Sequence, residues 1–439
     1  MHAKIFRGGV HPPDYKVLSR SVPISVVPAP NKVRVPLAQH LGVPAQALVK
    51  KGDRVCVGQP IGACVGFVSA AVHAPVAGTV TATPDVNLHT NRVVPGIEIE
   101  NDTSDTLFAG VTPVTTVDRA AIIKAVQAAG IVGLGGATFP SHVKLQPPAD
   151  KKISTLIINA AECEPFLTCD YRLVLEDGER VVRGAALMMT ALDVHECIMA
   201  IEDNKPDAAQ HLRALLGARA DMRVATLPTH YPQGGEKQLI CALTGREVPS
   251  GGLPMDVGCV VHNVGTAAAV ADAVERGMPL IERIVTVSGD AVERPGNYRV
   301  RLGTPIRAVL TAAGCDPERC AKVVIGGPMT GATATDLDAP VIKGTSGILA
   351  FSAAWVNADQ PRPCIRCGRC GTVCPIGLQP TQLEALANLR DVNALQAHYA
   401  ADCIECGCCA YICPARRALV QGIRYGKAQI TALRKAVKN

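Results

Sequence analysis

The spacing of apolar residues divides this chain into regions of different period. Over the first hundred residues, Val49-Lys-Lys-Gly-Asp-Arg-Val-Cys-Val-Gly-Gln-Pro-Ile-Gly62 and His73-Ala-Pro-Val-Ala-Gly-Thr-Val80 alternate apolar and polar positions between Gly and Pro turns, which predicts short strands. After Thr112-Pro113 the period lengthens. The stretch from Ala120 to Ala129 is apolar on one helical face and stops at Gly130, a residue suited to a left-handed C-terminal cap. Leu156-Ile-Ile-Asn-Ala160 is a continuous apolar run of the buried-strand type. From Ile284 to Val300 two strand-like runs flank a Pro-Gly turn, followed by a helical pattern from Pro305 to Ala313. Helices are predicted again at Thr381 to Leu389 and Asp391 to Tyr399, bracketing the cysteine runs described below. The whole reads as an α/β chain of several domains.

Length and composition narrow this picture. At about 100 to 200 residues per domain, 439 residues make three or four domains. Aromatic residues are only 3%, and Ala, Val and Gly are plentiful, which suits interiors of small side chains. The net charge of +6 is mild for this size, and no Lys/Arg stripe is interleaved with aromatics, which removes nucleic acid from the expected partners. The Met1-His-Ala-Lys start carries no secretory apolar region, and no run of about 18 uninterrupted apolar residues occurs. A cytosolic or peripheral protein is therefore expected. The late basic residues Arg416, Arg417, Arg424, Lys427, Arg434, Lys435 and Lys438 form either a solvated helix face or a docking strip for an acidic ferredoxin or an anionic membrane.

Cysteine carries the most specific chemistry. Cys364-Cys367-Cys370-Cys374-Pro375 and Cys403-Cys406-Cys409-Cys413-Pro414 each read C-x2-C-x2-C-x3-C-P, the signature of bacterial two-cluster ferredoxins. Soft thiolates match iron–sulfur clusters, and the x2 spacing lets one tight loop wrap a cube while the fourth cysteine reaches across to the other. The expected ligand sets are Cys364, Cys367, Cys370 with Cys413, and Cys403, Cys406, Cys409 with Cys374. Zinc is the rival for paired C-x2-C units, but it needs only four ligands per site and leaves the third cysteine and the trailing Cys-Pro unexplained. The other ten of the eighteen cysteines, Cys408 among them, read as small buried hydrophobes in a reducing compartment.

A second constellation lies upstream. The glycines of Gly133-Leu-Gly-Gly-Ala-Thr-Phe-Pro140 would let backbone N–H groups crowd a phosphate, with a following helix adding its positive end. A structural turn fits the same string, because the dinucleotide fingerprint would want Gly where Thr138 sits. The strand at Leu156 runs into Asn159-Ala-Ala-Glu-Cys-Glu-Pro165, and the carboxyl ends of parallel strands are where open α/β sheets bind ligands. Glu162 and Glu164 serve there either a ligand or the cap of the next helix.

On these residues the chain resembles the RnfC family, peripheral subunits of Rnf ion-translocating NADH:ferredoxin oxidoreductases, and more distantly the flavin subunit of respiratory complex I. The resemblance runs from Gly8-Gly-Val-His-Pro-Pro13 through the Gly133 and Asn159 strings, Ile201-Glu-Asp-Asn-Lys-Pro206, Tyr231-Pro-Gln-Gly-Gly-Glu-Lys-Gln-Leu239, His262-Asn-Val-Gly-Thr266 and Gly326-Gly-Pro-Met329 to the cysteines. It implies a barrel-sandwich hybrid over 1–111, a Rossmann-like FMN/NADH domain over 112–275, an SLBB β-grasp domain over 276–352 and a helical two-[4Fe-4S] ferredoxin-like domain over 353–439. The first module has the shape of lipoyl and biotinyl carriers, yet its Gly66–Ala70 turn holds no Lys to modify, so a structural or docking role is expected. The SLBB module is expected to act as a spacer.

The resemblance also implies site roles. Gly133, Gly135, Gly136 and Lys144 would face the phosphate and ribityl chain of a noncovalent FMN, with Asn159, Glu162, Gly235, Glu236 and Asn263 around the flavin. Phe139 would stack on the nicotinamide, and Glu164 and Lys237 would contact NADH, Lys237 standing where the complex I relatives carry an acid. NADH gives up two electrons at once and a [4Fe-4S] cluster takes one, so a flavin is needed between them. Implied partners are the ferredoxin-like RnfB and the integral membrane subunits, with ferredoxin or flavodoxin beyond them. The implied place is the cytoplasmic face of the bacterial inner membrane, reached through partners. Two rival readings use the same modules: a soluble flavin/iron–sulfur reductase of the cobalamin-reductase or proline-reductase-associated type, and a flavin-free electron conduit.

Overall fold

A computed structural model describes residues 6–356 and 360–438, with side chains to residue 436. The Met1-His-Ala-Lys start and the Lys438 side chain lie outside the described residues. In the N-terminal module, Val33 and Val35 of the strand Lys32–Pro36 are buried while Lys32 and Arg34 reach solvent, because successive strand side chains point to opposite faces. That strand joins Val93–Asn101, Gly78–Ala82 and Arg54–Val55 in one antiparallel sheet, and Gln46–Ala47, Pro60–Ala63 and Val72–His73 form a second. Val33, Val35, Ile61, Val80, Ile97 and Ile99 share one apolar core. The end of this module leans on the Gly-rich loop. The Phe67 carbonyl accepts from His142 Nε2 at 3.1 Å, and the Leu41 amide donates to the Thr138 carbonyl at 3.3 Å.

The helix Arg119–Ala128 begins where the Asp118 carboxylate accepts the Ala121 N–H. It is ended by Gly130 at φ +64°, where a Cβ would also stand 2.1 Å from the Ala71 carbonyl oxygen, so only glycine serves. The parallel sheet that follows has the order Met222–Leu227, Cys197–Glu202, Thr155–Ala160, Cys259–Asn263. In chain order that is 3-2-1-4, so the connections diverge between the strands Thr155–Ala160 and Cys259–Asn263 and leave a crevice at their carboxyl ends. Register places Asn159 beside Asn263 at that point. The helix expected after the Gly-rich loop is a single turn, Ser141–Lys144, too short to carry an appreciable dipole. The long helix of the domain is Cys169–Leu192.

The fourth sheet is mixed. Glu282–Ser288 pairs antiparallel with Gly296–Arg301 and parallel with Gly347–Phe351, and Ser25–Val26 joins its edge from far upstream in the chain. The C-terminal domain packs the helices Pro380–Leu389, Val392–Ala397 and Leu419–Lys438 through Leu383, Ala387, Leu395, Ile423 and Ile430. The first two lie between the cysteine runs and do not bracket them; the flanking element is the third.

Candidate flavin and iron–sulfur sites

The Gly-rich loop closes on itself through the Gly133 amide, which donates to the Phe139 carbonyl at 2.9 Å, and Phe139 is half-buried. A Cβ on Gly135 would stand 2.9 Å from Asn263 Nδ2, so this glycine lets the loop lie against the strand end. Gly135, Gly136 and Ala137 are exposed, and nothing lies within 4 Å of a Cβ on Gly136. Lys144 Nζ donates to Glu236 Oε1 at 2.8 Å and to the Val261 carbonyl at 2.9 Å. Asn159 Nδ2 donates to the Gly234 carbonyl at 2.9 Å, next to Gly235, which caps the helix Glu236–Thr244. Asn263 accepts the Gly265 N–H at 2.8 Å and donates to Asp170 Oδ2 at 2.5 Å. The sequence-derived set Gly133, Gly135, Gly136, Lys144, Asn159, Gly235, Glu236 and Asn263 thus lies around one crevice. Asp170 is a further member; burial, then the Glu162 charge, raises its pKa to about 7.

Glu162 and Glu164 divide. Glu162, at φ +45°, accepts the N–H groups of Asp170 at 2.7 Å and Tyr171 at 3.2 Å, so its carboxylate caps the long helix. The Glu164 carboxylate accepts the Met329 N–H at 3.0 Å, the Tyr231 hydroxyl at 3.3 Å and the Thr330 hydroxyl, and burial pushes its pKa up. Among the described residues Lys237 Nζ reaches only the Pro249 carbonyl, at 3.4 Å, and shares no partner with Glu164. The loop between Glu162 and Glu164 is pinned by two buried lysines that no motif marks for this role. Lys16 donates to the carbonyls of Glu162, Glu164 and Leu167 at 2.8, 2.9 and 2.5 Å. Lys205 donates to the Ala161 carbonyl at 2.7 Å and pairs with Glu202 at 3.0 Å. The Cys163 thiol on this loop accepts the Gly234 N–H at 3.3 Å, and burial pushes it up to about 12, which keeps it neutral.

Cys374, Cys403, Cys406 and Cys409 line one cavity with Ile376 and Ile423, so Cys374 crosses from the first run to the second. Cys370 and Cys413 share an apolar cluster with Leu419, which Cys409 of the other set also joins. The two sets differ in setting. The first is docked on the flavin domain: Tyr231 Oη donates to the Cys406 carbonyl at 2.7 Å, and fully buried Cys408 packs with Val10 and Tyr231. The Gly9 amide donates to the Val373 carbonyl at 2.9 Å, so the N-terminal segment straps the two domains. In the other set Cys364 and Cys367 are exposed.

The late basic residues are not one free strip. Arg417 pairs with Glu384 at 2.6 Å, and Arg424 and Lys427 pair with Glu405 at 2.6 and 2.5 Å. Among the described residues no helix is long and apolar enough to cross a membrane.

The residues fit the implied groups. Four converging thiols beside apolar walls suit a soft iron–sulfur cube. An open glycine loop with Lys144 at its foot, and buried His262 Nε2 and Gln233 Nε2 without hydrogen-bond partners among the described residues, suits an oxygen-rich flavin nucleotide.

Four family profiles match in chain order: the RnfC barrel sandwich hybrid domain over residues 4–104, the Nuo51 FMN-binding domain over 126–272, the SLBB domain over 284–333 and the 4Fe-4S dicluster domain over 357–414. The chain is 46% identical over 97% of its length, and 94% of the relative's, to the C component of the proton-translocating ferredoxin:NAD(+) oxidoreductase complex of Clostridium ljungdahlii. It is 45% identical to the Na(+)-translocating counterpart of Acetobacterium woodii, over 98% of each chain. It is 44% identical to the C component of the ion-translocating oxidoreductase complex of Salmonella dublin, over 98% of this chain and 61% of that one. On fold, cysteine framework and full-length identity, the chain belongs to the RnfC family.

Proposed function

We propose that this chain is the NADH-linked subunit of a membrane-associated, ion-translocating ferredoxin:NAD+ oxidoreductase, passing single electrons to partner subunits. The single observation that carries the reading is the bond from Tyr231 to the Cys406 carbonyl, which seats one thiolate set directly on the loop that carries Cys163 and Glu164. FMN would supply the conversion between a two-electron hydride and clusters that take one electron each. The residues do the holding. Gly133, Gly135, Gly136 and Lys144 face the phosphate end; Asn159, Gly235, Glu236 and Asn263 surround the ring system; Glu162 fixes the helix that presents Asp170. Phe139 lines the nicotinamide side. Glu164, engaged with Tyr231 and Met329, holds the flavin loop to the SLBB segment, beside the Tyr231 hydroxyl that reaches the cluster domain, before any contact with NADH, and Lys237 is the freer NADH contact. We place module boundaries at 111/112, 275/276 and 352/353. Partners are the ferredoxin-like and integral membrane subunits, with ferredoxin or flavodoxin as carrier, at the cytoplasmic face of the membrane.

Anaerobic purification of the chain with flavin and iron analysis, then NADH titration, tests this. About one FMN and about eight iron per chain, with bleaching of the flavin absorbance by NADH, is expected. Eight iron with neither flavin nor an NADH response would leave a conduit.

A further inference from the structure

The two cysteine loops are one sequence used twice. Cys364-Ile-Arg-Cys-Gly-Arg-Cys370 and Cys403-Ile-Glu-Cys-Gly-Cys-Cys409 differ only at their third and sixth positions. The backbones agree: Arg366 and Glu405 both sit at φ +56°, and each donates its amide to the first sulfur of its loop at 3.4 Å. In the inner loop Glu405 is bonded to Arg424 and Lys427, and Cys408 is fully buried against the flavin domain. In the outer loop both differing positions are arginines. Arg362, Arg366 and Arg369 are exposed, and among the described residues none has a carboxylate partner. Ile365 between them is 68% exposed. No Asp or Glu occurs from Gln360 to Leu383 or from Cys406 to the last residue.

A cube held by four thiolates is an anion, and basic side chains near it need no partner protein to explain them. The repeat shows that the four-sulfur framework does not itself require arginine at these positions, since the inner loop holds it with Glu405 and Cys408 there and draws its cations, Arg424 and Lys427, from another segment. An exposed apolar residue flanked in the chain by exposed arginines and by two exposed ligand cysteines has the make-up of a small charged interface. Anionic membrane would be met by a longer cluster of four to eight basic residues on a helix, whereas Arg417, Arg424 and Lys427 on the C-terminal segment are already paired.

We propose that Arg362, Ile365, Arg366 and Arg369, around the exposed Cys364 and Cys367, form the docking face for an acidic iron–sulfur electron carrier. The inference rests on the reading above only in that the outer cysteines hold a cluster. The test titrates the full chain, purified anaerobically, with an acidic two-cluster [4Fe-4S] ferredoxin and reads Kd against ionic strength without NADH. The double change Arg366→Glu with Arg369→Glu is sterically mild, because Glu405 already occupies the backbone equivalent to Arg366 in the repeat and Arg369 is exposed. It is expected to weaken binding at least about tenfold at low salt and to flatten the salt dependence, with iron content unchanged. Arg366→Lys with Arg369→Lys is expected to stay within about threefold of the parent chain. Unchanged Kd in the reversed variant overturns the proposal. So does loss of iron in that variant, which would give the arginines a cluster-holding role. Cosedimentation with phosphatidylglycerol vesicles that the reversal abolishes, while ferredoxin binding persists, assigns the face to membrane and overturns it as well. A chain that binds ferredoxin through this face yet carries no flavin defeats the reading above and leaves the docking face standing.

Discussion

The inner and outer cysteine loops share their ligand spacing, their left-handed third residue and their amide-to-sulfur bond, yet one is interior and the other surface. Gly407, inside the inner loop, is packed so that a Cβ would stand 2.5 Å from the Met329 carbonyl oxygen; Gly368, its counterpart, has nothing within 4 Å. Ligand geometry therefore belongs to the repeated sequence, and placement belongs to the two positions that differ. An acid that finds Arg424 and Lys427, and a small thiol that fits beside Tyr231, turn one loop inward. Two arginines keep the other in water.

The largest effect that would break this pairing lies in the crossed ligands. Cys374→Ser belongs by sequence to the first run but should empty the inner site, and Cys413→Ser should empty the outer one, each leaving about four iron of eight. Iron analysis with low-temperature paramagnetic resonance of the reduced chain checks this; if Cys374→Ser spared the inner signal, the ligand sets would not cross. Next comes the glycine pair. Gly368→Ala and Gly407→Ala each incur about 1 kcal/mol for a left-handed alanine, and Gly407→Ala adds about 1–3 kcal/mol of overpacking against Met329. Anaerobic thermal melts of the two variants should separate by that difference.

Much of this arrangement was legible in the chain because it is local. Cysteine spacing marks both loops, and Asn159 shows itself as a polar end to an apolar strand, which register then sets beside Asn263. What was not legible acts across long separations through backbone atoms. Lys16 reaches carbonyls 146 and 148 residues away, and Tyr231 reaches one 175 residues away. No period or motif marks a lysine whose partner is a main-chain oxygen. The same holds for Ser25–Val26, too short to announce itself as an edge strand, and for the basic C-terminal residues, whose carboxylate partners Glu384 and Glu405 lie on other segments.

Exchanging the differing residues sharpens the comparison at a smaller scale. Burial alone would raise the Glu405 pKa, and its bonds to Lys427 and Arg424 outweigh that and hold it below the usual carboxylate range. Glu405→Arg removes those bonds and sets a third cation beside two, a loss of about 1–2 kcal/mol. Arg366→Glu alone, on an exposed loop where Arg366 has no carboxylate partner among the described residues, should stay within about 0.5 kcal/mol. Chemical denaturation of the anaerobic holoprotein reads both; equal losses would mean that the two loops are not differently placed.

The smallest effect is a pH slope that only the inner loop should show. Burial raises the Glu164 pKa above its ordinary value of 4.5, against the opposing bonds from Thr330, Met329 and Tyr231. The folded chain then binds more protons at this group than the unfolded chain does, so its contribution to stability is complete below pH 4.5 and is lost as pH rises through the raised value. Glu164→Gln keeps the shape and removes the titration. The difference in thermal midpoint between the parent chain and Glu164→Gln should therefore drift with rising pH in favour of the variant, by less than about 1 kcal/mol over the window. Loss of the inner cluster should follow the same drift. The outer loop offers no such handle: arginine does not titrate in this range, and no carboxylate lies between Gln360 and Leu383. A pH drift in outer-cluster retention that Glu164→Gln abolishes would show that the two loops are coupled through the cluster domain and are not set independently by their own surroundings.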